Sequence, residues 1–205
     1  MIYFFENYDG FSCEKYLNFL SPERREKYER LKQKRDKENC VISFLLLRKA
    51  LSDYGITDFE TETGENGKPF IKGNNSIHFN ISHTGGGVTV AVDKSPVGID
   101  IQDIIPVRDG VLERCFSDGE KQIVSKSNSP ERIFTRLWTL KESAVKCGGE
   151  TVASLKNYCF ENAADTFEMY GRKFTTFERE RLFISVCAEK TFSQIKQIKN
   201  MEEIL

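Results

Sequence analysis

Two carboxylates, one amide and one ammonium in this sequence have the types and spacing of a site for a cation or a phosphate. Asp100 and Gln102 lie two residues apart in the apolar run PVGIDIQ, so on a strand they point to the same face. Glu142 and Lys146 lie four residues apart in WTLKESAVK, so on a helix they share a face. A carboxylate in an apolar strand must be paired, hydrogen-bonded or metal-bound, because burying it alone is too costly.

If this helix face packs against the strand, Asp100 and Glu142 converge with Gln102 beside them. Two carboxylates and a neutral oxygen suit Mg²⁺, which takes one or two carboxylates and completes its shell with water and substrate phosphate oxygens. The alternative is a buried Asp100 that holds backbone amides and an unrelated surface pair between Glu142 and Lys146. The spacing leaves both interpretations open.

A second polar element, FNISHTGGG, precedes the strand. Asn80, Ser82 and His83 lie at a predicted strand end and are followed by glycines, so their side chains and the exposed N–H groups can receive a phosphate. A glycine-rich hairpin turn explains the same pattern equally well. Lys68, between the turn formers of TGENGKPFI, and Lys146 are two further candidate phosphate partners.

The hydrophobic pattern predicts the elements that must position these residues. Residues 1–8 and the stretch SIHFNISHTGGGVTVAVDKSPVGIDIQ are typical of strands, and 155–190 favour a small antiparallel sheet. A helix is predicted over 21–55, with its apolar part in the second half. The strongest helix begins at Pro130 and ends at the glycines 148–149.

Helices and strands are therefore segregated along the chain rather than strictly alternating, which indicates an α+β fold. Two halves, 1–104 and 105–205, each offer a long helix and several strands. Since no Pro/Ser-rich linker separates them, we expect two subdomains that pack tightly against each other.

Composition excludes several classes of function. With 205 residues, 39% apolar and 30% charged, the chain is typical of a soluble globular protein, and its net charge of −1 creates no field toward nucleic acid or membrane. It has no apolar run long enough for a transmembrane helix, and its first residues lack the features of a signal peptide. The six cysteines form no CxxC motif and do not cluster with histidine, so we expect no zinc site and reduced thiols in a cytoplasmic protein.

Residues 23–37 form a locally basic segment, with eight Lys or Arg against four Asp or Glu, an excess of +4. A solvated helix face laced with ion pairs is the simpler interpretation. A patch that meets phosphates or an acidic partner is the alternative. An interaction module that binds nucleic acid through this helix is disfavoured by the overall charge and by the lack of an RNA-binding motif.

Taken together, the motifs resemble a known family. GIDI followed about forty residues later by WTLKESAVK resembles the paired motif of 4′-phosphopantetheinyl transferases. GKPF and NISHTGG resemble the accompanying motifs of the larger, surfactin-synthetase-activating type, and ERCFSDGE is also similar to that family. These segments stand in family order and span about positions 67–147.

The resemblance implies an enzyme that transfers the 4′-phosphopantetheine arm of coenzyme A to a serine of an apo acyl or peptidyl carrier protein. The serine attacks the β-phosphate with the help of Mg²⁺, and 3′,5′-ADP leaves. The implied fold is two similar α+β subdomains related by a pseudo-two-fold, each a small sheet packed on a long helix, with the active-site cleft between them. The implied protein is a cytoplasmic monomer of secondary metabolite biosynthesis that binds neither nucleic acid nor membrane, and the sequence leaves its carrier open.

The resemblance also implies the metal ligands and the catalytic residues. Asp100, Gln102 and Glu142 would bind Mg²⁺, and Glu142 would take the serine proton as the catalytic base. Lys146, the second catalytic residue, would neutralise the α-phosphate side. Gln102 is a departure, because many members of the larger type have Glu there, and it implies weaker Mg²⁺ affinity.

For coenzyme A, the resemblance implies that Ser82 and His83 hold phosphates and that Lys68 lies along the nucleotide. A second departure concerns the 3′-phosphate of CoA. Members often place an Arg about nine residues before the arginine that corresponds to Arg48, and this sequence has Asn39 there. No residue is assigned to the 3′-phosphate.

Carrier proteins of this class are usually acidic around their serine, so a basic or apolar docking surface beside the cleft is expected. Phe116, Lys121 and Ile123, on either side of the turn at Ser117, are the candidate surface. The alternative function is that of a catalytically weakened homologue that only binds CoA. In that case Gln102 would indicate the loss of activity.

Overall fold

Ten strands and five α-helices form the regular structure of the residues that the computed structural model describes, 1–6, 8–161 and 163–205. The strands are β1 (Ile2–Phe5), β2 (Thr61–Thr63), β3 (Pro69–Ile71), β4 (His78–Thr84), β5 (Gly87–Asp93), β6 (Gly98–Asp103), β7 (Thr166–Met169), β8 (Arg172–Glu178), β9 (Leu182–Ala188) and β10 (Lys196–Ile198). The helices are α1 (Pro22–Arg30), α2 (Lys34–Ser52), α3 (Asp109–Cys115), α4 (Asp118–Lys126) and α5 (Pro130–Gly148). Short 3₁₀ segments lie at Cys13–Phe19, Val152–Asn157 and Met201–Ile204.

The first sheet has the strand order β10–β1–β5–β4 and packs against helix α2. Its strands pair antiparallel, except that β1 and β10 run parallel. The apolar run from Val41 to Leu47 is buried, and with β1 and β5 it forms the core of this half. The predicted strand in residues 1–8 and the predicted core helix are thus confirmed.

One predicted helix, over 21–55, is divided into α1 and α2 at Leu31, whose backbone is extended with φ −74° and ψ 138°. A single helix from Pro22 to Ser52 would be about 46 Å long, whereas a seven-residue strand spans about 24 Å. The break turns α1 back onto α2 and lets Tyr28 and Leu31 pack against the core. The prediction of one continuous helix is therefore wrong, because a straight helix would outrun the sheet that it covers.

The second sheet has the order β6–β9–β8–β7, is antiparallel throughout and packs against helix α5. As predicted, α5 begins at Pro130 and ends at Gly149, whose φ of 65° favours glycine. Helix and strand approach very closely at Gly98, where a Cβ atom would lie 2.1 Å from the carbonyl oxygen of Ser143. This contact requires glycine and brings the last turns of α5 onto strand β6.

The two sheets meet along strands β4 and β6, and side chains of β4 join them. Asn80 Oδ1 accepts a hydrogen bond from the N–H of Ile99 at 2.9 Å, and Ser82 Oγ accepts from the N–H of Ile101 at 3.3 Å. Both sheets contribute to one apolar cluster beneath this junction. Its members include Ile2, Phe4, Ala91, Val97, Ile99, Ile101, Ile184 and Val186. The junction is therefore a packed contact on which side chains of both sheets are held.

Strand pairing crosses the predicted division between 1–104 and 105–205 at two points. Strand β6 belongs to the second sheet through β9, and strand β10 returns to the first sheet through β1. The division into two subdomains at residue 104 stays a prediction. Strands β6 and β10 each pair with a strand of the other predicted subdomain, so the two subdomains share their sheets.

The segregation of helices and strands confirms the α+β class. No helix in the described part of the chain has both the length and the apolar character needed to cross a membrane.

Candidate active site

Asp100, the buried carboxylate of strand β6, has two direct side-chain partners. It is 5% exposed, and its Oδ1 lies 2.5 Å from Lys146 Nζ and accepts a hydrogen bond from Ser82 Oγ at 2.8 Å. Lys146 Nζ also donates to Ser82 Oγ at 3.3 Å. Strands β4 and β6 and helix α5 each contribute one residue, so this cluster exists only once the two sheets are docked.

Glu142 lies one helical turn before Lys146, with its Oε2 3.9 Å from Lys146 Nζ. Burial raises the pKa of Glu142, the Lys146 charge lowers this pKa in part, and the Asp100 charge raises it further. The structure therefore brings Asp100 and Glu142 together around one ammonium group. A carboxylate with a raised pKa is a better proton acceptor than one in water.

Gln102 lies on the same face of β6 as Asp100 and belongs to a small polar network at the strand end. Its Nε2 donates to Thr84 Oγ1 at 3.4 Å. Thr84 Oγ1 donates to Asp103 Oδ2 at 2.9 Å. Asp103 Oδ2 also accepts a hydrogen bond from the N–H of Gly86 at 3.0 Å. The network holds the turn after β4 against the end of β6, and a Cβ at Gly86 would lie 2.2 Å from Asp103 Oδ1. Our sequence reasoning missed Asp103, although a second Asp in GIDIQD was a signal.

His83 follows Ser82 in strand β4, and successive strand residues point to opposite faces. While Ser82 contacts Asp100, the Nδ1 of His83 lies 3.4 Å from Nδ2 of Asn39 on helix α2. Asn39 Oδ1 accepts from the Tyr8 hydroxyl at 2.8 Å. Burial and the Lys146 charge lower the pKa of His83. At neutral pH its imidazole is therefore uncharged, and it acts as a hydrogen-bonding group rather than as a cation.

A cleft of about 780 Å³ opens on the His83 side of β4. Helices α1 and α2 and the β2–β3 hairpin form its walls. Its cationic lining residues are Arg24, Lys27 and Lys72. The volume suits a ligand of drug size or somewhat larger. The segment 23–37 contributes the cations Arg24 and Lys27 and the acids Glu23 and Asp36 to the cleft wall. Its charges there cancel, so the phosphate interpretation of this segment stays a prediction.

Lys68 lies in the β2–β3 hairpin, and its ammonium is held by backbone carbonyls. Nζ donates to the carbonyl oxygens of Lys146 at 2.7 Å, Cys147 at 3.1 Å and Val97 at 3.2 Å. Burial lowers its pKa. A cation on the last carbonyls of a helix stabilises the helix end. Lys68 therefore fastens the end of α5 to the hairpin, and its predicted contact with a nucleotide stays a prediction.

A buried ion pair between Lys141 and Glu120 lies behind the site. Both side chains are 0% exposed, and Lys141 Nζ lies 2.8 Å from Glu120 Oε2. Glu120 also forms a capping box with Ser117 at the start of α4. The missed signal was Lys141 itself, a charged residue between the core positions Leu140 and Ala144.

The candidate docking surface is corrected at one residue. Phe116 is 6% exposed and stacks on Phe134 with 5.2 Å between ring centroids, so it belongs to the core of the second half. Lys121 Nζ pairs with Glu113 at 2.7 Å and Asp118 at 3.4 Å. These acids offset the positive charge on which the docking hypothesis depended. The aromatic ring was mistaken for a surface residue because it precedes a turn.

The donor set at Asp100, Gln102 and Glu142 consists of oxygens, which suit a hard cation. Within the described residues, no group of three or more His, Cys, Asp and Glu is arranged to hold a metal ion. Two carboxylates around the Lys146 ammonium do form a pocket for positive charge. The oxygen donors of these residues are therefore of the kind that a hard cation such as Mg²⁺ prefers.

Two family models match this chain, and between them they cover most of both sheets and the cluster of Ser82, Asp100, Glu142 and Lys146. One, described as the 4′-phosphopantetheinyl transferase superfamily, matches residues 96–196, and the other, described as 4′-phosphopantetheinyl transferase, N-terminal, matches residues 11–95. The chain belongs to the 4′-phosphopantetheinyl transferase superfamily, and the family predicted from the motifs is confirmed.

The similar curated proteins include members of the predicted type. The 4′-phosphopantetheinyl transferase Sfp of Bacillus subtilis (strain 168) is 36% identical over 142 residues, 67% of this chain and 63% of that protein. The 4′-phosphopantetheinyl transferase psf-1 of Bacillus pumilus is 35% identical over 140 residues, 66% of this chain and 60% of that protein. The matched region thus spans less than two thirds of the length of these relatives.

A similarity to a solved structure was also found. The crystal structure of Thermotoga maritima holo-[acyl-carrier-protein] synthase (AcpS) is 19% identical, with a TM-score of 0.32, and the match covers 47% of this chain and 64% of that one.

Proposed function

We propose that this protein transfers the 4′-phosphopantetheine arm of coenzyme A to a serine of an apo acyl or peptidyl carrier protein and releases 3′,5′-ADP. The observation that carries the proposal is the convergence of Asp100, Glu142, Lys146 and Ser82 at the junction of the two sheets. Attack on a pyrophosphate needs positive charge at the reacting phosphate, an aligned nucleophile and a proton acceptor. In this cluster Lys146 supplies positive charge and Glu142 a proton acceptor, while the nucleophile is the serine of the carrier protein.

In this proposal Asp100, Gln102 and Glu142 hold Mg²⁺. When bound, the metal would act as a Lewis acid that polarises the phosphoryl group. Lys146 contributes a second positive charge, which neutralises the α-phosphate side as the ADP leaves. Ser82 orients both Asp100 and Lys146 through its hydroxyl, at 2.8 and 3.3 Å.

Glu142 is the proposed base for the carrier serine. Its burial raises its pKa, so the carboxylate accepts a proton more readily than one in water. Proton removal gives the serine oxygen the charge that it needs to attack the β-phosphate. The Lys146 ammonium, 3.9 Å away, lowers the pKa of Glu142 in part and so favours its ionised form.

The cleft on the other side of β4 is the proposed site of the nucleotide part of CoA. His83 lines this cleft, and Ser82 faces the catalytic cluster from the same strand. An extended ligand that crosses β4 would therefore meet both residues. Arg24 and Lys27 are the proposed cationic partners of its phosphates, while Lys72 is paired with Glu60 and Glu62 of the same cleft.

The two long helices support the proposal of two similar subdomains related by a pseudo-two-fold. Helices α2 and α5 each have 19 residues, and each packs against one four-stranded sheet. This similarity supports two related subdomains, 1–104 and 105–205, with a pseudo-two-fold between them. We also propose a monomer, because one chain supplies residues of both halves to the cluster. The resemblance to the larger, surfactin-synthetase-activating type supports a cytoplasmic enzyme that acts on carriers of secondary metabolism.

The direct test is incubation of the protein with CoA, Mg²⁺ and a panel of apo carriers. Transfer adds about 340 Da to the carrier, the mass of the arm in a phosphoryl-transfer reaction. A carrier with its acceptor serine changed to Ala is the matched control and should stay unmodified. CoA binding without any gain in mass on every carrier would contradict transferase function and support the alternative, a CoA-binding homologue.

Replacing Gln102 with Glu should lower the Mg²⁺ concentration needed for half-maximal activity. A third carboxylate adds negative charge next to Asp100, and we expect about a tenfold change, equivalent to about 1.4 kcal/mol of binding free energy. The measurement is a Mg²⁺ titration of the initial rate. Gln102→Met, which keeps the volume but has no oxygen, should need more Mg²⁺ than the wild type. A Gln102→Glu variant that needs as much metal or more would refute the assignment of residue 102.

A further inference from the structure

A second, smaller pocket lies at the far end of α5 and contains a cysteine. Its volume is about 230 Å³, and it lies between the β2–β3 hairpin, the start of β4 and the end of α5. Cys147 lines it together with Lys68, His78 and Pro96. The thiol is hydrogen-bonded to the Pro96 carbonyl at 3.4 Å. A buried thiol that borders a pocket differs from one enclosed in a core, because a small reagent can reach it.

A second cysteine lies directly behind the first. Cys187 of β9 pairs across the sheet with Gly98, and both residues face α5. At Gly98 a Cβ would lie only 2.8 Å from Cys147 Cα, so the glycine leaves room for the helix at this point. Cys187 is fully buried. Both cysteines therefore lie against Gly98, Cys187 from the neighbouring strand and Cys147 from the helix, which places them where a disulfide could join helix and strand.

The charges around the pair favour a thiolate at Cys147. A hydrogen bond from Cys187 lowers the pKa of Cys147 to about 7, and the Arg172 and Lys68 cations lower it as well, against burial and the Glu189 charge. The pKa of Cys187 is raised by that hydrogen bond and by burial. One thiol is thus poised to react and the other to remain protonated beside it.

Cys13 shows what burial alone does to a thiol in this protein. It lies in the core of the first half, and burial raises its pKa to about 11. Both Cys13 and Cys147 are buried, at 7% and 4% exposure. Cys147 differs from Cys13 in lining a pocket and in having the Arg172 and Lys68 cations nearby.

We propose that Cys147 is a peroxide-reactive thiol and that it forms a reversible disulfide with Cys187. In the first step the Cys147 thiolate attacks one peroxide oxygen, an S–O bond forms, the O–O bond breaks, and the hydroxide that leaves takes a proton to become water. In the second step the Cys187 sulfur attacks the Cys147 sulfenic acid, the S–S bond forms, and a second water leaves with the Cys187 proton. The peroxide is reduced by two electrons, which the two thiols supply.

The disulfide would join the end of α5 to strand β9, one residue after Lys146. A thiol-disulfide change there is independent of the proposed transfer reaction, and its detection requires neither CoA nor a carrier. Failure of the redox proposal would therefore leave the proposed function untouched, and the reverse also holds.

The test is to treat the folded, reduced protein with hydrogen peroxide, alkylate the remaining thiols under denaturing conditions, and map the peptides by mass. We expect a loss of about 2 Da for the two hydrogens, a linked peptide pair containing Cys147 and Cys187, and full reversal by dithiothreitol. Cys147→Ser should abolish the loss. Cys159→Ser, which removes a half-buried thiol elsewhere, should not change it.

A second variant keeps the proposal testable if Cys147→Ser is poorly folded. In Cys187→Ala the resolving thiol is absent, so a sulfenic acid should accumulate at Cys147 and be trapped by dimedone. The pH midpoint of Cys147 alkylation by iodoacetamide should also rise above the midpoint measured for the wild type, because the Cys187 thiol that lowers the pKa of Cys147 is gone. Oxidation confined to Cys115 and Cys159, with Cys147 and Cys187 still alkylated after peroxide, would overturn the proposal.

Discussion

Replacing Glu142 with Gln should reduce the kcat for carrier modification by about 10³-fold, within the range expected for loss of a general base. The amide cannot take the serine proton, and it removes one of the two charged oxygens proposed to hold Mg²⁺. The measurement is the initial rate of mass gain on the carrier at saturating CoA and Mg²⁺. Glu131→Gln, an exposed residue in the first turn of the same helix, is the matched control and should keep the wild-type rate.

The same variant should not lose stability, and this separates a catalytic role from a structural one. Burial raises the pKa of Glu142 in the folded protein above its unfolded value, so the ionised form is disfavoured by folding. This destabilisation is absent below the unfolded pKa, grows as the pH rises through the folded pKa, and is complete above it. Thermal melting at about pH 8 should therefore give a Tm for Glu142→Gln equal to or above that of the wild type.

Two outcomes would contradict this account of Glu142. A variant with near wild-type kcat would remove Glu142 from the proposed reaction. A variant with lost activity and a strongly lowered Tm would show that Glu142 supports the fold instead.

The largest expected effect on stability is that of Lys141→Met, which should lower the free energy of unfolding by about 3–5 kcal/mol, the cost of breaking a buried ion pair. Lys141 Nζ lies 2.8 Å from Glu120 Oε2 with both side chains fully buried, and it also donates to the carbonyl oxygens of Leu155 and Tyr158. Met fills a similar volume but leaves the Glu120 charge and both carbonyls without their partner. Denaturant unfolding measures the difference.

Glu120 explains why this pair matters for the whole second half. Its two oxygens accept from the N–H groups of Ser117 at 2.8 Å and Phe160 at 2.8 Å. Together with Lys141 it joins the start of α4, helix α5 and the chain before β7. Loss of one charge should therefore loosen three segments at once.

A double variant separates the loss of the pair from the loss of packing. Glu120→Gln with Lys141→Met removes both charges, so it should be more stable than Lys141→Met alone. The exposed pair of Lys72 and Glu60 provides the control, and Lys72→Met should leave the unfolding midpoint unchanged. Equal stability of Lys141→Met and Lys72→Met would refute the importance of the buried pair.

Local sequence patterns were enough to predict helix α5, strand β6 and the family. The apolar stripe of α5, with proline at its start and glycine at its end, predicts that helix because capping and periodicity are local properties. The alternation of residues in GIDIQ predicts β6 and the shared face of Asp100 and Gln102 for the same reason. The order of GKPF, NISHTGG, GIDI and WTLKESAVK was enough to predict the superfamily.

Predictions from local sequence patterns were wrong where the conformation or burial of a residue depends on a segment far away in the chain. The break between α1 and α2 depends on the size of the sheet below them, and the burial of Phe116 depends on Phe134 of another helix. Lys68 carries a positive charge beside turn formers, which favours a surface residue that binds phosphate. Only the position of the α5 end shows that three carbonyls hold its ammonium.

Only the tertiary structure decided how the polar residues are paired. Asp100 is tolerated in an apolar strand because Lys146 arrives from a helix 46 residues later and Ser82 from a strand 18 residues earlier. The thiols of Cys147 and Cys187 likewise become neighbours through the docking of α5 on the second sheet, where Gly98 leaves the space. Spacing along the chain sets which face a side chain occupies, but Coulomb and hydrogen-bond energies depend on distances in space, and those follow from how the sheets and helices pack.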